Sequence, residues 1–195
     1  MTRRIVLASS SRYRQEQLAR LRLSFEVEAP AVDERALAGE APRTTAERLA
    51  LAKARAVAAR TGDALVIGAD QVAELDGRAI GKPGTHALAL EQLLAMRGRT
   101  VRFHSGLAVV DGRDGRAQGA SVATDVRFRA LPVEALEAYL HADQPYDCAG
   151  SAKIESLGIC LVEAVHSDDP SALIGLPLIA LTSMLADFGL ALPAR

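Results

Sequence analysis

The stretch "ALVIGADQVAELDGRAIGKPG", residues 64–84, decides the fold class. It opens as an apolar run of strand length, meets a predicted break at Gly68, and turns at Asp76-Gly77, a dipeptide that favours a two-residue hairpin. A hairpin implies antiparallel neighbours. Residues 100–132, "TVRFHSGLAVVDGRDGRAQGASVATDVRFRALP", repeat the pattern as two strands around a DGRDG turn. The flanking segments have a different period. "RRIVLA" (3–8) is a short strand that feeds "YRQEQLARLRL" (13–23), where Leu18 and Leu21 share a helical face. "RTTAERLALAKARAVAARTG" (43–62) is the clearest helix, with Thr44 and Glu47 spaced as a capping box and Gly62 placed to stop it. Three more helices are predicted: "THALALEQLLAMRG" (85–98), "VEALEAYLHA" (133–142) after Pro132, and one from Pro177 to Gly189. Helices alternate with strands, yet the hairpins demand antiparallel pairs. The fold class is therefore α/β with a mixed twisted sheet flanked by helices. Neither a repeat nor a linker divides residues 1–195, so one domain is expected, with one sizeable core or two small lobes around a cleft.

Composition narrows the functional classes. Charged residues are 24% of the 195 and nearly balanced, 23 basic against 24 acidic, which argues against a broad footprint for nucleic acid or an anionic membrane. Any phosphate binding must be local. The apolar run near the amino terminus is too short for a signal-peptide core, and no stretch approaches a membrane span, so a cytoplasmic location is expected. Cys148 and Cys160 lack CxxC spacing and read as two buried thiols. His86, His104, His141 and His166 never form HxxxH, which directs any metal toward oxygen ligands.

Several charged residues fall where charge needs a reason. Asp70 and Gln71 follow an apolar strand, and Lys53 stands four residues from both Leu49 and Val57, on their apolar face. A lysine there needs a partner. Glu34 lies in a proline-marked loop and Lys82 in "GKPG". In "LASSSRYR" (7–14) hydroxyls and guanidiniums meet a helix start, where backbone N–H groups favour an anion. Each feature is ordinary alone, since serines cap helices and aspartates end strands. Together they are the parts of phosphoanhydride hydrolysis, acids for a divalent metal and bases for phosphates. "GRAIGKPG" is not a P-loop: three residues separate its glycines where four are needed, and Pro83 takes the Ser/Thr position. In "AGSAKIESLGI" (149–159), Ser151, Lys153 and Glu155 alternate as on a strand. Such a face is usually solvated, but a glutamate turned to a ligand can accept two hydrogen bonds from the N1–H and N2–H₂ edge of a guanine.

Taken together, "LASSSRYRQEQL", "VDE", "RLALAKA", "IGADQV", "GKP", "YDCAGSAKIESLGI" and "GLPL" resemble the ordered motifs of the Maf family from about Arg4 to Phe188. That resemblance implies a nucleotide-binding cleft between two lobes and conversion of a nucleoside triphosphate to the monophosphate and pyrophosphate. It implies Asp70 as proton acceptor, Lys53 and Lys82 as catalytic residues that neutralise the triphosphate, and Ser9 and Arg14 on the phosphates, with Arg12 a weaker choice. A Mg²⁺-type ion, or Mn²⁺ or Co²⁺, would lie on Glu34 or Asp70. Tyr13, Gln71 and Glu155 occupy the positions associated with substrate choice and are similar to the branch that hydrolyses 7-methyl-GTP. Methylation at N7 makes guanine cationic, and an aromatic face such as Tyr13 attracts a cation by roughly 0.5–2 kcal/mol. Three departures stand out: Arg12 replaces the usual proline, Gln15 replaces the second basic residue, and Tyr13 stands where that branch commonly has tryptophan. The alternatives are a pyrophosphatase for dTTP/UTP or another modified nucleotide, disfavoured by Tyr13 with Glu155, and a nucleotide-sensing regulator of cell division, which would not need Asp70. The resemblance also implies a homodimer.

Overall fold

Two kinds of connection build the sheet. In the computed structural model, which describes residues 3–193, β1 (Ile5–Ala8) leads through α1 (Arg12–Ala19) to the two-residue β2 (Glu26–Val27), parallel to β1. The long α2 (Pro42–Thr61) then crosses to β3 (Leu65–Leu75), which pairs parallel with β1 on its other side. From there every pairing is antiparallel. β4 (Arg78–Ile80) folds back on β3 through Asp76 and Gly77, both at positive φ as the expected turn requires. After α3 (His86–Met96), β5 (Thr100–Asp111) and β6 (Ala117–Phe128) form the long hairpin. α4 (Val133–Asp143) precedes the outer β7 (Val162–Ser167), and α5 (Leu178–Asp187) follows it. The strand order is β2-β1-β3-β5-β6-β7, with β4 added to β3, as a mixed sheet.

Strand alternation sorts the core. Ile5, Leu7, Leu65, Ile67, Leu107 and Val109 face one way and pack with Leu18 of α1 and Leu181 and Leu185 of α5. Val6, Val66, Ala108 and Val110 face the other way, onto Ala50, Ala54 and Val57 of α2. Farther along the first face, Ala73, Val101, Phe103 and Phe128 meet Leu93 and Met96 of α3 and Leu136 and Leu140 of α4. β3 and β5 thus contribute to both clusters on that face. Full burial of side chains such as Leu7, Leu65 and Ile67 stabilises the fold by about 1.5–3 kcal/mol each.

Two local expectations are corrected. Gly68 is not a break, since β3 runs through it as far as Leu75. The glycine is a spacer: a Cβ there would lie 2.2 Å from the Ala50 carbonyl oxygen and 2.7 Å from the Ala54 nitrogen of α2. Gly106 on neighbouring β5 does the same for the Ala46 carbonyl, also at 2.2 Å. Paired with alanines on the helix, the two glycines let α2 approach the sheet backbone to backbone. The capping box is not formed either. α2 starts at Pro42, ahead of Thr44, and Glu47 pairs outward with Arg43. Proline at the first helical position needs no N–H partner, and its fixed φ favours the earlier start. Gly62 does end the helix, at φ 59°.

Candidate active site

The site begins where β1 stops. β1 pairs with β3 only as far as Gly68, and β4 takes up the same edge at Ala73, so residues 69–72 of β3 have a neighbour only in β5. That gap in the sheet opens a cleft of about 840 Å³, a size suited to a small ligand, lined by Asp70, Gln71 and Val72. The strand carries Asp70 and Gln71 on opposite sides of itself.

Asp70 points toward α2. The close seat that Gly68 and Gly106 allow brings Lys53, only 4% exposed, against it: Nζ donates to Asp70 Oδ1 at 2.6 Å and lies 2.8 Å from Glu34 Oε1. A buried ammonium needs such partners, and this one has two carboxylates from separate segments. The expected partner is found. Glu34 is half exposed in the loop between β2 and α2. Partial burial works to raise its pKa, but the hydrogen bond and charge of Lys53, joined by Lys82 and Arg14, outweigh it and hold the carboxyl below its usual range.

Donors approach from the first turn of α1. Ser11 is its N-cap, its Oγ accepting from the Arg14 N–H at 3.4 Å, and Ser9 Oγ accepts from the Ser11 N–H at 3.1 Å. Ser11 caps the helix although Arg12 stands in place of a proline. Arg12 turns to solvent and pairs with Glu16 at 3.0 Å. Arg14 goes inward, its Nε donating to the Gly175 carbonyl at 3.0 Å, which leaves the outer guanidinium nitrogens for a ligand. Burial lowers its pKa, against the fields of Asp70 and Glu34. Arginine remains charged even so.

The opposite wall comes from the segment after α4. Tyr13 faces a segment carrying Asp147, Cys148, Lys153 and Glu155; burial is the main cause of its raised pKa, and those four charges or dipoles reach its phenol. The expected strand through Ser151, Lys153 and Glu155 is absent. Ala149–Ser151 and Leu157–Leu161 are 3₁₀ turns, and alternating polarity there reflects successive bends rather than one face. Ser151 is buried and donates to Gln92 Oε1 at 2.6 Å, Lys153 pairs with Asp147 at 3.4 Å, and Glu155 remains at the cleft rim. Solvent kept back by the cleft walls raises the Glu155 pKa, with Asp143 and Asp147 adding to the effect and Lys153 opposing it. Lys82 is exposed at the mouth, in the loop after β4. The two thiols are not both buried: Cys160 is exposed and Cys148 half-buried, because the turns bring both near the surface. Desolvation, then the neighbouring Asp147, pushes the Cys148 thiol up to about 12.

Gln71 has a different task from its neighbour. Its amide nitrogen donates toward Ser105 Oγ at 3.0 Å and the carbonyls of Ala172 and Leu173 at 3.1 and 3.0 Å. Ser105 reinforces the tie, donating to Ala172 O at 2.7 Å. Gln71 thereby anchors the turn that presents Gly175 to Arg14. Phe103, Asp147, Cys148 and this 172–175 turn complete the cleft and were missed by short-range reading, because they come from far along the chain.

The carboxylates suit a hard cation. Asp70 Oδ1 and Glu34 Oε1 converge on one ammonium, and among the described residues Asp70 Oδ2 has no hydrogen-bond partner. Mg²⁺ is held by one or two carboxylates together with substrate phosphates, which is the donor chemistry this corner offers. Among the described residues no helix is long and apolar enough to cross a membrane.

Comparison with known proteins places this geometry in context. Residues 4–188 match the family described as Maf-like protein. The chain is 64% identical over 189 residues to the 7-methyl-GTP pyrophosphatase of Paraburkholderia xenovorans, covering 95% of this chain and 92% of that one. It is 60% identical over 185 residues to the protein of the same name from Cupriavidus metallidurans, covering 95% and 93%. The protein so named from Ralstonia nicotianae is 61% identical over 181 residues, covering 93% of each chain.

Proposed function

The chain belongs to the Maf-like family, and from that membership and the cleft we propose that it is a nucleoside triphosphate pyrophosphatase acting on 7-methyl-GTP, releasing 7-methyl-GMP and pyrophosphate. The observation that carries the reading is the Lys53 ammonium held between Asp70 and Glu34 at the gap in the sheet, with Arg14 and Tyr13 on the facing wall. Substrate phosphates would lie against Arg14, the Ser9 hydroxyl and Lys82, with the ammonium of Lys53 neutralising charge from below. A divalent ion held by Glu34 or Asp70, Mg²⁺ or the similar Mn²⁺ or Co²⁺, would supply Lewis-acid polarisation of the scissile phosphoryl group when bound. Asp70 accepts the proton of the attacking water on its free oxygen, while Lys53 on the other oxygen keeps the carboxylate in place. The oxygen of water bonds to the α-phosphorus, and the bond to the bridging oxygen breaks to release pyrophosphate.

The base is read from both walls of the cleft, by Tyr13 of α1 and by Glu155 of the segment after α4. Tyr13 offers its ring face to the cationic methylated guanine, and Glu155 at the rim accepts from the guanine edge. Gln71 contributes through the turn it anchors, with only its carbonyl oxygen left for a ligand. A homodimer of single-domain subunits in the cytoplasm belongs to the same proposal and is checked by sedimentation of the purified protein. The deciding experiment measures pyrophosphate release with Mg²⁺ from 7-methyl-GTP, GTP, dTTP, UTP and CTP, for the wild type and Asp70→Asn. Preferential release from 7-methyl-GTP that vanishes in the variant is the expected result. Preference for a pyrimidine would refute the pocket, and nucleotide binding without turnover would favour a sensor.

A further inference from the structure

Away from the cleft, α3 and α4 bring together three side chains that the sequence keeps far apart. His86 opens α3, Glu137 and His141 stand one turn apart on α4, and their ligating atoms all lie within 4.8 Å of one another. His86 Nε2 is 2.6 Å from Glu137 Oε2, and His141 Nε2 is 3.8 Å from the same oxygen. None of the three lines the cleft.

Tyr146 fixes what His86 can offer. Its hydroxyl lies 3.0 Å from His86 Nδ1 and 3.3 Å from the Leu140 carbonyl, and when its single hydrogen goes to Leu140 the imidazole is the donor at Nδ1. A neutral ring with its proton on Nδ1 directs the bare lone pair of Nε2 at a carboxylate oxygen. Two acceptors 2.6 Å apart repel unless they share a cation. A proton would satisfy that pair alone. A metal ion would also use His141, whose Nε2 turns to the same oxygen although the side chain is three-quarters exposed.

We propose that His86, Glu137 and His141 form a binding site for a Zn²⁺-class ion, with Tyr146 holding the tautomer of His86. Two imidazoles and one carboxylate are a borderline-soft donor set that suits Zn²⁺ and leaves a fourth position for water. A phenol oxygen accepting from the far ring nitrogen is the outer support that ligating histidines ordinarily have. The set differs from the oxygen-only corner at Asp70 and Glu34, so Mg²⁺ competes poorly for it. The absence of HxxxH therefore misleads here: the second histidine comes from another helix.

The test is Zn²⁺ retention by the purified full-length protein after dialysis in excess Mg²⁺, with Zn²⁺ alone as the probe. The wild type is expected to keep about one equivalent, as a single three-ligand site requires. His141→Ala should keep none while melting at the wild-type temperature in metal-free buffer, since that side chain is mostly solvated. Tyr146→Phe should bind roughly 10–100-fold more weakly, the usual effect of removing an outer hydrogen bond. Zn²⁺ should raise the melting temperature of the wild type and not of His141→Ala. No retained Zn²⁺ would show that the pair shares only a proton, and equal retention by wild type and His141→Ala would assign the ion elsewhere; either outcome overturns the proposal.

Discussion

Gly68→Ala tests whether the spacing of α2 above the sheet governs the chemistry. The new methyl group would lie 2.2 Å from the Ala50 carbonyl oxygen, whereas ordinary contact begins near 3.4 Å, so helix and strand must separate by roughly 1.2 Å. Overpacking of this kind costs about 1–3 kcal/mol. Lys53 rides on the same turn of α2, between Ala50 and Ala54, and its bond of 2.6 Å to Asp70 would lengthen beyond hydrogen-bonding range. A misplacement of about 1 Å at reacting groups costs on the order of 100-fold in rate. The assay pairs urea unfolding with pyrophosphate release, using Gly119→Ala as control, where the nearest atom to an added methyl is 3.5 Å away. Stability within about 0.5 kcal/mol of wild type would refute the spacer argument. A clear loss of stability with full turnover would refute the link from spacing to Lys53.

Three further outcomes are expected. Glu155→Gln should lower turnover of 7-methyl-GTP more than that of a pyrimidine nucleotide, and equal losses would make Glu155 structural. Glu40 accepts from both Arg48 and Thr45, and these bonds, Arg48 foremost, hold its carboxyl at about 2. Because that value is depressed, its stabilisation is complete above the ordinary glutamate pKa near ~4.3 and is lost as pH falls toward 2. The gap in urea stability between wild type and Glu40→Gln should therefore close over that acidic window, and a gap independent of pH would contradict it. With the Cys148 thiol at about 12, only about one molecule in ten thousand carries its thiolate at pH 8, so a maleimide should label exposed Cys160 first. Cys160→Ser should then remove the fast phase.

The sequence disclosed periodicity better than proximity. The hairpin at Asp76-Gly77, the five helices and the inward face of Lys53 were legible because each depends on residues a few positions apart. Gly68 misled because a glycine in a strand signals a break unless one knows that a helix backbone presses on it. Ser151, Lys153 and Glu155 misled for the opposite reason: alternation was present without a strand to cause it. Asp70, Gln71 and Tyr13 line one cleft, yet the three bonds of Gln71 to Ser105 and the 172–173 carbonyls were invisible, since their partners lie 34 and about 100 positions away.

The bond from Arg14 to Gly175 spans 161 positions. During synthesis Arg14 emerges long before the carbonyl that orients it, and α1 has to wait for the 172–175 turn. Contacts closing so large a loop form late, after local helices and hairpins have gained their own stability. A nascent chain would therefore acquire most of its sheet before Arg14 is oriented, so the cleft takes its final form only after the last strand is in place.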